Sequence, residues 1–267
     1  MKTPISPEKS QHDVLNLYMR ALRLPAFANH HEEVALQAEK AGWSFGQYLR
    51  HLCELEMDER GQRKTTRLRK QSGLPSEKTL ATLDLGRLPA PVRRQLPTLC
   101  EGGHLGRAEN ILAFGLPGRG KTHLLCAIGH ELINRGYTVL FIAAFRLVQQ
   151  LLVAKRDLRL EKELKKLDKF DTVIVDDIGY VQQDREEMEV LFTFLAERYE
   201  RKGVMISSNL VFSQWDQIFK NPMTTASAID RLIHHSTILE MNNRSIREEE
   251  ANKRNDKHIV NTTENSQ

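Results

Sequence analysis

The sequence predicts an α/β fold in which a parallel sheet is flanked by helices, with a small all-α domain preceding it. From Asn110 onward, short apolar runs typical of buried strands alternate with longer runs of helical periodicity. This alternation is typical of a parallel sheet that carries helices on both faces. Between Asp13 and Asp58, by contrast, apolar residues recur only at helical spacing, which predicts helices alone.

The N-terminal part is predicted to form three short amphipathic helices. Pro25 and the sequence AGWS at 41–44 separate them, and Ser44 is a suitable N-cap for the third helix. A stretch rich in proline and glycine follows and favours a connector. The predicted organisation is a helical domain at 1–72, a connector at 73–109, an α/β domain at 110–250 and a polar tail at 251–267.

In the α/β domain, strands and helices are predicted in a regular order. The helices are predicted at 120–136, at 145–167 as one or two helices, and at 184–203, with further short helices to about His234. The strands are predicted at 110–115, 138–144, 171–179, 204–210 and 236–242.

Composition narrows the class of protein without selecting a function. The chain of 267 residues has a formal charge of +4, a mildly basic balance that permits a polyanionic partner. Its three cysteines are far apart and odd in number, which favours free thiols in a reducing compartment and therefore the cytoplasm. The N-terminus lacks the apolar core of a signal peptide, and the longest apolar run is too short to span a bilayer, so no membrane association is expected.

A glycine-rich loop directly follows the first predicted strand and opens a helix. It matches G-x-x-x-x-G-K-[ST], a pattern that binds phosphate groups through backbone N–H groups and the positive end of a helix dipole. Lys121 is expected to reach the β- and γ-phosphates, and the Thr122 hydroxyl to bind Mg²⁺. The predicted nucleotide-binding residues here are Gly115, Leu116, Pro117, Gly118, Arg119, Gly120, Lys121, Thr122 and His123.

Polar side chains also end two later strands, where a parallel sheet faces its ligand crevice. Asp176 is expected to bind Mg²⁺ together with the nucleotide, and Asp177 to polarise an attacking water as general base, which favours hydrolysis. Asn209 is expected to bind the attacking water or the γ-phosphate. Arg231 is a candidate to stabilise transition-state charge at a neighbouring subunit.

Four segments together resemble a known family. GLPGRGKT at 115–122, VIVDDIG at 173–179, ISSN at 206–209 and AIDRL at 228–232 are similar in order and spacing to AAA+ ATPases of the DnaA/DnaC branch. More narrowly, the chain resembles the IstB-like helper ATPases of bacterial insertion sequences. This narrower resemblance extends to the helical N-terminal segment that ends at Arg60 and to KTLATLDL, which leads into the α/β domain.

The resemblance implies an Mg²⁺-dependent ATPase of the bacterial cytoplasm that assembles on double-stranded DNA and assists a cognate transposase in choosing target DNA. It implies a homo-oligomer with ATP at the subunit interfaces, in which Arg231 acts on the neighbour's γ-phosphate. Arg247, in RSIR, resembles a second γ-phosphate sensor, which would make it a further nucleotide-binding residue; the alternative is a surface arginine beside the acidic residues at 248–250. The short chain after the last strand suits the IstB and DnaC types, so no C-terminal lid domain is expected.

Two basic segments are candidates for DNA contact. The segment at 60–70 has no acidic residue and is either a phosphate-contacting strip or a solvated linker or helix end. The segment at 155–166 mixes acidic with basic residues, as a solvated helix does. The predicted DNA-contacting residues are Arg60, Arg63, Lys64, Arg67, Arg69 and Lys70.

Adjacent histidines raise the question of a second metal. His234 and His235 are expected to point in different directions on a helix, and the sequence offers them no partner cluster. No metal besides Mg²⁺ is therefore expected.

Three other functions could use the same loop. A DnaC-like replicative helicase loader would prefer single-stranded DNA and a helicase partner, whereas the N-terminal pattern fits the transposition group better. A nucleotide switch that never hydrolyses ATP is disfavoured by Asp176, Asp177 and Asn209. A small-molecule kinase needs an acceptor pocket and a mobile lid, for which the sequence has no segment.

Overall fold

The computed structural model describes the backbone of residues 7–180, 185–210, 214, 226, 229–230 and 232–243. The chain divides into two compact units, Met1–Arg67 and Leu68–Gln267, which are described separately. No helix within the described ranges is both long enough and apolar enough to cross a bilayer. The domain boundaries predicted at 72/73 and 109/110 stay a prediction.

The described residues of the N-terminal unit form three helices, as predicted, and the third helix continues five residues past the end of this unit. Pro25 is the first residue of the second helix, where its fixed φ suits a helix start, and Gly42 ends that helix in the left-handed region with φ 64°. Ser44 caps the third helix, because its Oγ accepts from Gln47 N at 3.3 Å while Ser44 N donates to Gln47 Oε1 at 2.7 Å. The helices are α1 (Pro7–Ala21), α2 (Pro25–Ala41) and α3 (Phe45–Ser72).

The third helix is much longer than predicted, with 28 residues. It continues through the basic segment at 60–70, because lysine and arginine are good helix formers and acidic residues one turn earlier pair with them. Glu56 pairs with Arg60, for example, and Glu59 with Arg63. The basic segment is therefore the end of a helix and not a linker.

In the second unit, further helices lie between the end of α3 and the sheet. A short 3-10 helix (Leu85–Arg87) leads into α4 (Ala90–Glu101) and α5 (Gly103–Gly106). Apolar side chains of this segment are buried in the same hydrophobic cluster as the central strands, among them Leu88, Val92 and Leu96. The region predicted as a connector thus contributes to the core.

Five parallel strands form the sheet, in the order β2-β3-β4-β1-β5. Each lies within a predicted strand, so these predictions are confirmed. In the centre, Ile111 pairs with Met205 on one side and Thr237 on the other. Because all strands are parallel, their carboxyl ends meet at one edge. The strands are β1 (Asn110–Phe114), β2 (Val139–Ala143), β3 (Thr172–Asp176), β4 (Val204–Ser208) and β5 (Ser236–Glu240).

Helices cover both faces of the sheet, and alternate residues of a strand point to opposite faces. Ile111 and Ala113 of β1 pack in the cluster that contains α4 and α6 (Lys121–Asn134). Leu112 and Phe114 pack in the cluster that contains α7 (Ala144–Arg156) and α9 (Arg185–Arg198). The segment at 145–167 forms two helices, since α8 (Leu160–Leu167) is separate and Leu158 before it has φ 56°.

Candidate nucleotide-binding site

The glycine-rich loop joins β1 to α6 at the carboxyl edge of the sheet. Gly118 and Gly120 have φ of 78° and 86°, a region that only glycine adopts at little cost. Gly115 is restricted by a close approach, because a Cβ at this position would lie 2.5 Å from the carbonyl oxygen of Met241. The glycines are therefore required by the backbone path, which turns the loop back before α6 begins.

Lys121 begins α6, and its side chain turns back onto the loop. Its Nζ donates to the carbonyl oxygens of Gly115 at 2.6 Å and Leu116 at 3.1 Å. The residue is only 5% exposed, so the ammonium group is buried, and the two carbonyl oxygens hold it in one place. A buried cation beside the positive end of a helix creates strong local attraction for an anion.

A chain of short hydrogen bonds joins the loop to the Asp176 carboxylate and to the backbone of Asp177, at the end of β3. Thr122 Oγ1 donates to Asp176 Oδ1 at 2.8 Å, and Ser207 Oγ donates to the same oxygen at 2.6 Å. Ser207 Oγ also accepts from the backbone N–H of Asp177 at 2.8 Å. Ser207, fully buried on β4, thus fixes both acidic residues at once.

Asp177 has an unusual backbone conformation. Its φ is 57°, in the left-handed region that costs a residue other than glycine roughly 1–2 kcal/mol. The hydrogen bond from its N–H to Ser207 holds it there. The chain turns sharply after β3 as a result, and the Asp177 side chain reaches the cavity at the loop.

Two buried polar atoms at this site have no hydrogen-bond partner within the described part of the chain. These atoms are Arg119 Nε, a donor, and Asn209 Oδ1, an acceptor. Buried polar atoms are nearly always paired, so an unpaired donor and acceptor beside one cavity fit a ligand with oxygen atoms and a bound water. Gly179 leaves room for Asn209, because a Cβ at Gly179 would overlap Asn209 Oδ1.

These side chains line one cavity of about 180 Å³. Besides the loop, Asp177 and Asn209, it is lined by Lys78, which the sequence analysis did not single out. Lys78 begins KTLATLDL, the segment that resembles the lead-in to the family's ATPase domain, and its positive charge is the signal that could have identified it. The residues lining the cavity are Lys78, Pro117, Gly118, Arg119, Gly120, Lys121, Thr122, His123, Asp177 and Asn209.

The segment that carries Lys78 is held against the loop by His123. His123 Nε2 lies 3.1 Å from the carbonyl oxygen of Thr79 and 3.1 Å from Thr82 Oγ1. Because the Thr79 carbonyl only accepts, the tautomer that suits this contact carries its proton on Nε2. One role of His123 is therefore to position the neighbouring segment.

Cys126, on α6, is chemically inert. Burial raises the pKa of its thiol to about 12, so the nucleophilic thiolate is not formed at neutral pH. Burial likewise raises the pKa of Cys100 to about 11. All three cysteines are free.

The oxygen donors at the site suit a hard divalent cation. The Thr122 hydroxyl and the Asp176 carboxylate are already adjacent, and Mg²⁺ prefers such oxygen ligands together with phosphates and water. The residues at this site are therefore suited to bind both a nucleoside triphosphate and its magnesium ion. Predicted residues Arg231, Arg247 and 251–267 lie outside the described residues, as does the prediction about a C-terminal lid.

The expectation that His234 and His235 have no partner is wrong. Glu200 joins them, and one ligand atom from each of the three side chains lies within 4.8 Å of the others. Glu200 follows the end of α9, far away in the sequence, and only the folded chain brings it to the histidines.

The sheet and the glycine-rich loop define the class of the protein by its fold, which is the AAA+ P-loop fold. Its α/β unit shares the fold of DnaA from Aquifex aeolicus, with a TM-score of 0.53 and 18% identity over 64% of this chain and 51% of that one. It also shares the fold of DnaI, with a TM-score of 0.54 and 21% identity over 64% of this chain and 96% of that one. The DnaC helicase loader has a TM-score of 0.51 and 16% identity over 62% of this chain and 98% of its own.

Sequence comparison identifies the family. The model of the IstB-like ATP binding proteins matches residues 18–254, and the chain belongs to this family. It is 41% identical, over 89% of this chain and 80% of the relative, to a protein named as an insertion sequence ATP-binding protein in Sinorhizobium fredii. It is 34% identical, over 90% of both chains, to one named for the insertion sequence IS21 of Pseudomonas aeruginosa. The chain is thus an ATP-binding protein of the insertion sequence type.

Proposed function

We propose that the protein is a DNA-dependent ATPase that assembles on double-stranded DNA and assists a transposase in target selection. The observation that carries the hydrolytic part is the hydrogen-bonded set Thr122, Asp176, Ser207 and Asp177, which joins the phosphate loop to the Asp176 carboxylate and to the backbone N–H of Asp177. The DNA and transposase parts rest on membership of the insertion sequence family. The cytoplasmic location stays a prediction.

In the proposed mechanism, the loop amides and Lys121 bind the β- and γ-phosphates of ATP. Thr122 and Asp176 would hold Mg²⁺, which neutralises charge on the phosphate oxygens. Asp177 accepts a proton from the attacking water, and Asn209 Oδ1, which is buried and has no partner among the described residues, orients that water. Arg231, supplied by a second copy of the chain, stabilises the negative charge that develops on the γ-phosphate.

Hydrolysis is tested by measuring phosphate release and ATP binding on the same preparations. In Asp177→Asn, turnover should fall by about 100-fold or more, the range in which general bases contribute, while ATP affinity stays within a few-fold. Arg107→Gln is a suitable control, because Arg107 pairs with Glu109 at the surface, away from the cavity. If turnover in Asp177→Asn is unchanged, Asp177 is not the general base that activates the attacking water.

For DNA contact, we propose that the α3 residues with free charges matter most. Arg60 donates to Glu56 Oε1 at 2.7 Å, and Arg63 interacts with Glu56 and Glu59. Lys64, Arg67 and Lys70, by contrast, are exposed, and no residue in the described ranges pairs with them. An unpaired cation gains more from a phosphate than one already neutralised, so these three residues are the favoured contacts.

The second basic segment is a weaker candidate. Lys165 pairs with Glu161 at 2.5 Å and Lys166 with Glu163 at 2.6 Å, both within α8. Lys155 pairs with Glu189 of α9 at 2.8 Å. These pairs are typical of a solvated helix surface.

A DnaC-like helicase loader is the second candidate function, because DnaI and DnaC share the fold of the α/β unit. The two functions differ in their preferred DNA. A loader should bind single strands better than duplex of equal length, whereas the transposition helper should prefer duplex without regard to sequence.

A further inference from the structure

We propose that Glu200, His234 and His235 form a binding site for a divalent transition-metal ion, with Zn²⁺ the best suited. One ligand atom from each side chain lies within 4.8 Å of the other two, and all three residues are exposed. Zinc bonds to histidine nitrogen and carboxylate oxygen are about 2.0–2.2 Å long, which places ligand atoms roughly 3.4 Å apart in a tetrahedral site. Small rotations of the three exposed side chains can bring the ligand atoms from within 4.8 Å to this shorter distance.

The backbone that carries the histidines is held in place. Asn110 N donates to the carbonyl oxygen of His235 at 2.7 Å, and Asn110 Nδ2 donates to that of Leu232 at 3.0 Å. Two hydrogen bonds from the first residue of β1 therefore fix the segment on which both ligands lie. The two imidazole rings meet edge to face with their centroids 4.2 Å apart.

The Tyr199 side chain orients one of the ligands. The Tyr199 hydroxyl lies 3.1 Å from His234 Nδ1. When Nδ1 carries the proton and donates it to the hydroxyl oxygen, the Nε2 lone pair of His234 is available to a metal. Metal-binding histidines in proteins have this kind of partner on the second ring nitrogen, which fixes the tautomer and the ring.

The three side chains favour a different ion from the Mg²⁺ expected at the phosphate loop. Two imidazoles and one carboxylate favour zinc, copper or nickel, whereas Mg²⁺ prefers oxygen ligands. The two sites are also apart, because Asn110 begins β1 and the phosphate loop follows its end at Phe114, roughly 13 Å along the strand. Binding at one site therefore need not displace the ion at the other.

A bound ion would connect two elements that are distant in the sequence. Glu200 lies two residues after the end of α9, and His235 directly precedes β5. Glu200 adopts φ 57°, a conformation that is costly for glutamate, and a ligand bond would stabilise it. Because the ion binds only when both elements are folded together, Zn²⁺ should raise the melting temperature.

The test is titration of the nucleotide-free full chain with Zn²⁺ in excess Mg²⁺, followed by calorimetry and thermal melting. We expect one Zn²⁺ per chain, an increase in melting temperature, and at least tenfold weaker binding in His234→Ala and in Glu200→Gln. Co²⁺ provides a second readout, since its visible absorption bands report a nitrogen- and oxygen-ligated tetrahedral site and should be lost in both variants.

Two control variants test whether another imidazole or a thiol accounts for the Zn²⁺ affinity. His51→Ala removes an imidazole on α3, and Cys53→Ser removes the exposed thiol. Both should bind Zn²⁺ like the unchanged protein. The proposal is overturned if His234→Ala and Glu200→Gln bind Zn²⁺ as tightly as the unchanged chain, if only Cys53→Ser loses binding, or if no saturable binding occurs.

Discussion

The phosphate loop and the basic end of α3 both attract anions, but the structure prepares them in different ways. At the loop, Lys121 is buried and bound by two carbonyl oxygens, and Ser207 links the Asp176 carboxylate to the backbone N–H of Asp177. At the end of α3, the charged side chains are exposed, and Arg60 is paired with a carboxylate. The side chains at the loop are therefore held in defined positions. At the helix end, whether a cation is free to bind a phosphate depends on whether a carboxylate already pairs with it.

This difference indicates what each region can do. A preorganised set of donors can stabilise one geometry, as chemistry at a phosphate requires. Exposed cations on a helix can follow a polyanion without reading its sequence. Substitutions should therefore have large, specific effects at the loop and smaller effects that depend on salt at the helix.

The largest effect is expected for Lys121→Ala. Loss of the buried cation should weaken ATP binding by roughly 100-fold, because contacts to a buried charge contribute about 2–5 kcal/mol. Binding of a fluorescent ATP analogue provides the measurement, and nucleotide-driven assembly should be lost with it. Lys162→Ala, on the surface of α8, is the matched control and should bind ATP normally. Assembly of Lys121→Ala with ATP at the level of the unchanged protein would contradict the role of ATP in joining subunits.

A smaller effect is expected for Ser207→Ala. The substitution removes the donor to Asp176 and leaves the N–H of Asp177 without its acceptor, so both carboxylates lose part of their positioning. Turnover should fall about tenfold or more while ATP affinity changes little, which single-turnover kinetics can separate. Thr193→Ala removes a hydroxyl that donates to the carbonyl oxygen of Glu189 within α9, and it should leave turnover unchanged. A loss of affinity in Ser207→Ala with full turnover would contradict this account.

On α3, the free and the paired cations should behave differently. Lys64→Ala and Arg67→Ala should each weaken duplex binding several-fold and reduce the salt slope by about 1. Arg60→Ala and Arg63→Ala should change DNA affinity less, because these side chains already interact with Glu56. Equal losses of affinity in all four variants would remove the distinction between free and paired charges.

The smallest effect on function is expected for Glu56→Gln, whose consequence is confined to stability. Burial raises the pKa of the Glu56 carboxyl, but hydrogen bonds from Arg60 and from the N–H of Ala26 outweigh it, and the pKa ends below its ordinary 4.5. The ionised form therefore stabilises the folded state above pH 4.5, and this contribution is lost as the pH falls through the lowered pKa.

Urea unfolding should show this pH dependence. At pH 7 the variant should be about 1–3 kcal/mol less stable, and the difference should shrink below pH 4.5. Glu54→Gln, an exposed residue paired with exposed Arg50, should cost much less. A difference that stays constant from pH 7 to pH 3 would show that ionisation of Glu56 is not responsible.

Much of the fold could be predicted from the sequence, because alternating apolar runs and a phosphate loop in context are strong local signals. The five strands lie where predicted, and Asp176 and Asp177 end β3 beside the loop. Ser207 and Lys78 were not predicted, because their roles depend on contacts across the fold: Ser207 bonds residues of the adjacent strand, and Lys78 reaches a cavity built by a later loop. Glu200 was not predicted as a partner of the histidines for the same reason, because only the folded chain brings these residues together.

The length of α3 shows a different limit. A run of six basic residues without acidic ones at 60–70 is equally consistent with a linker and a helix. The acidic partners that favour the helix, Glu56 and Glu59, each lie one turn before the arginine they pair with, a relation that is visible only when the helix is assumed.

The most direct test of the central claim is fluorescence anisotropy of labelled duplex and single-stranded DNA of equal length, titrated with the full chain at fixed salt. The titrations are made with ATP, a non-hydrolysable analogue, ADP or no nucleotide. We predict tight binding of duplex, independent of sequence, only with the two triphosphates. Preferential binding of single strands would favour the helicase-loader function, and the absence of DNA binding in all four states would contradict the proposed function.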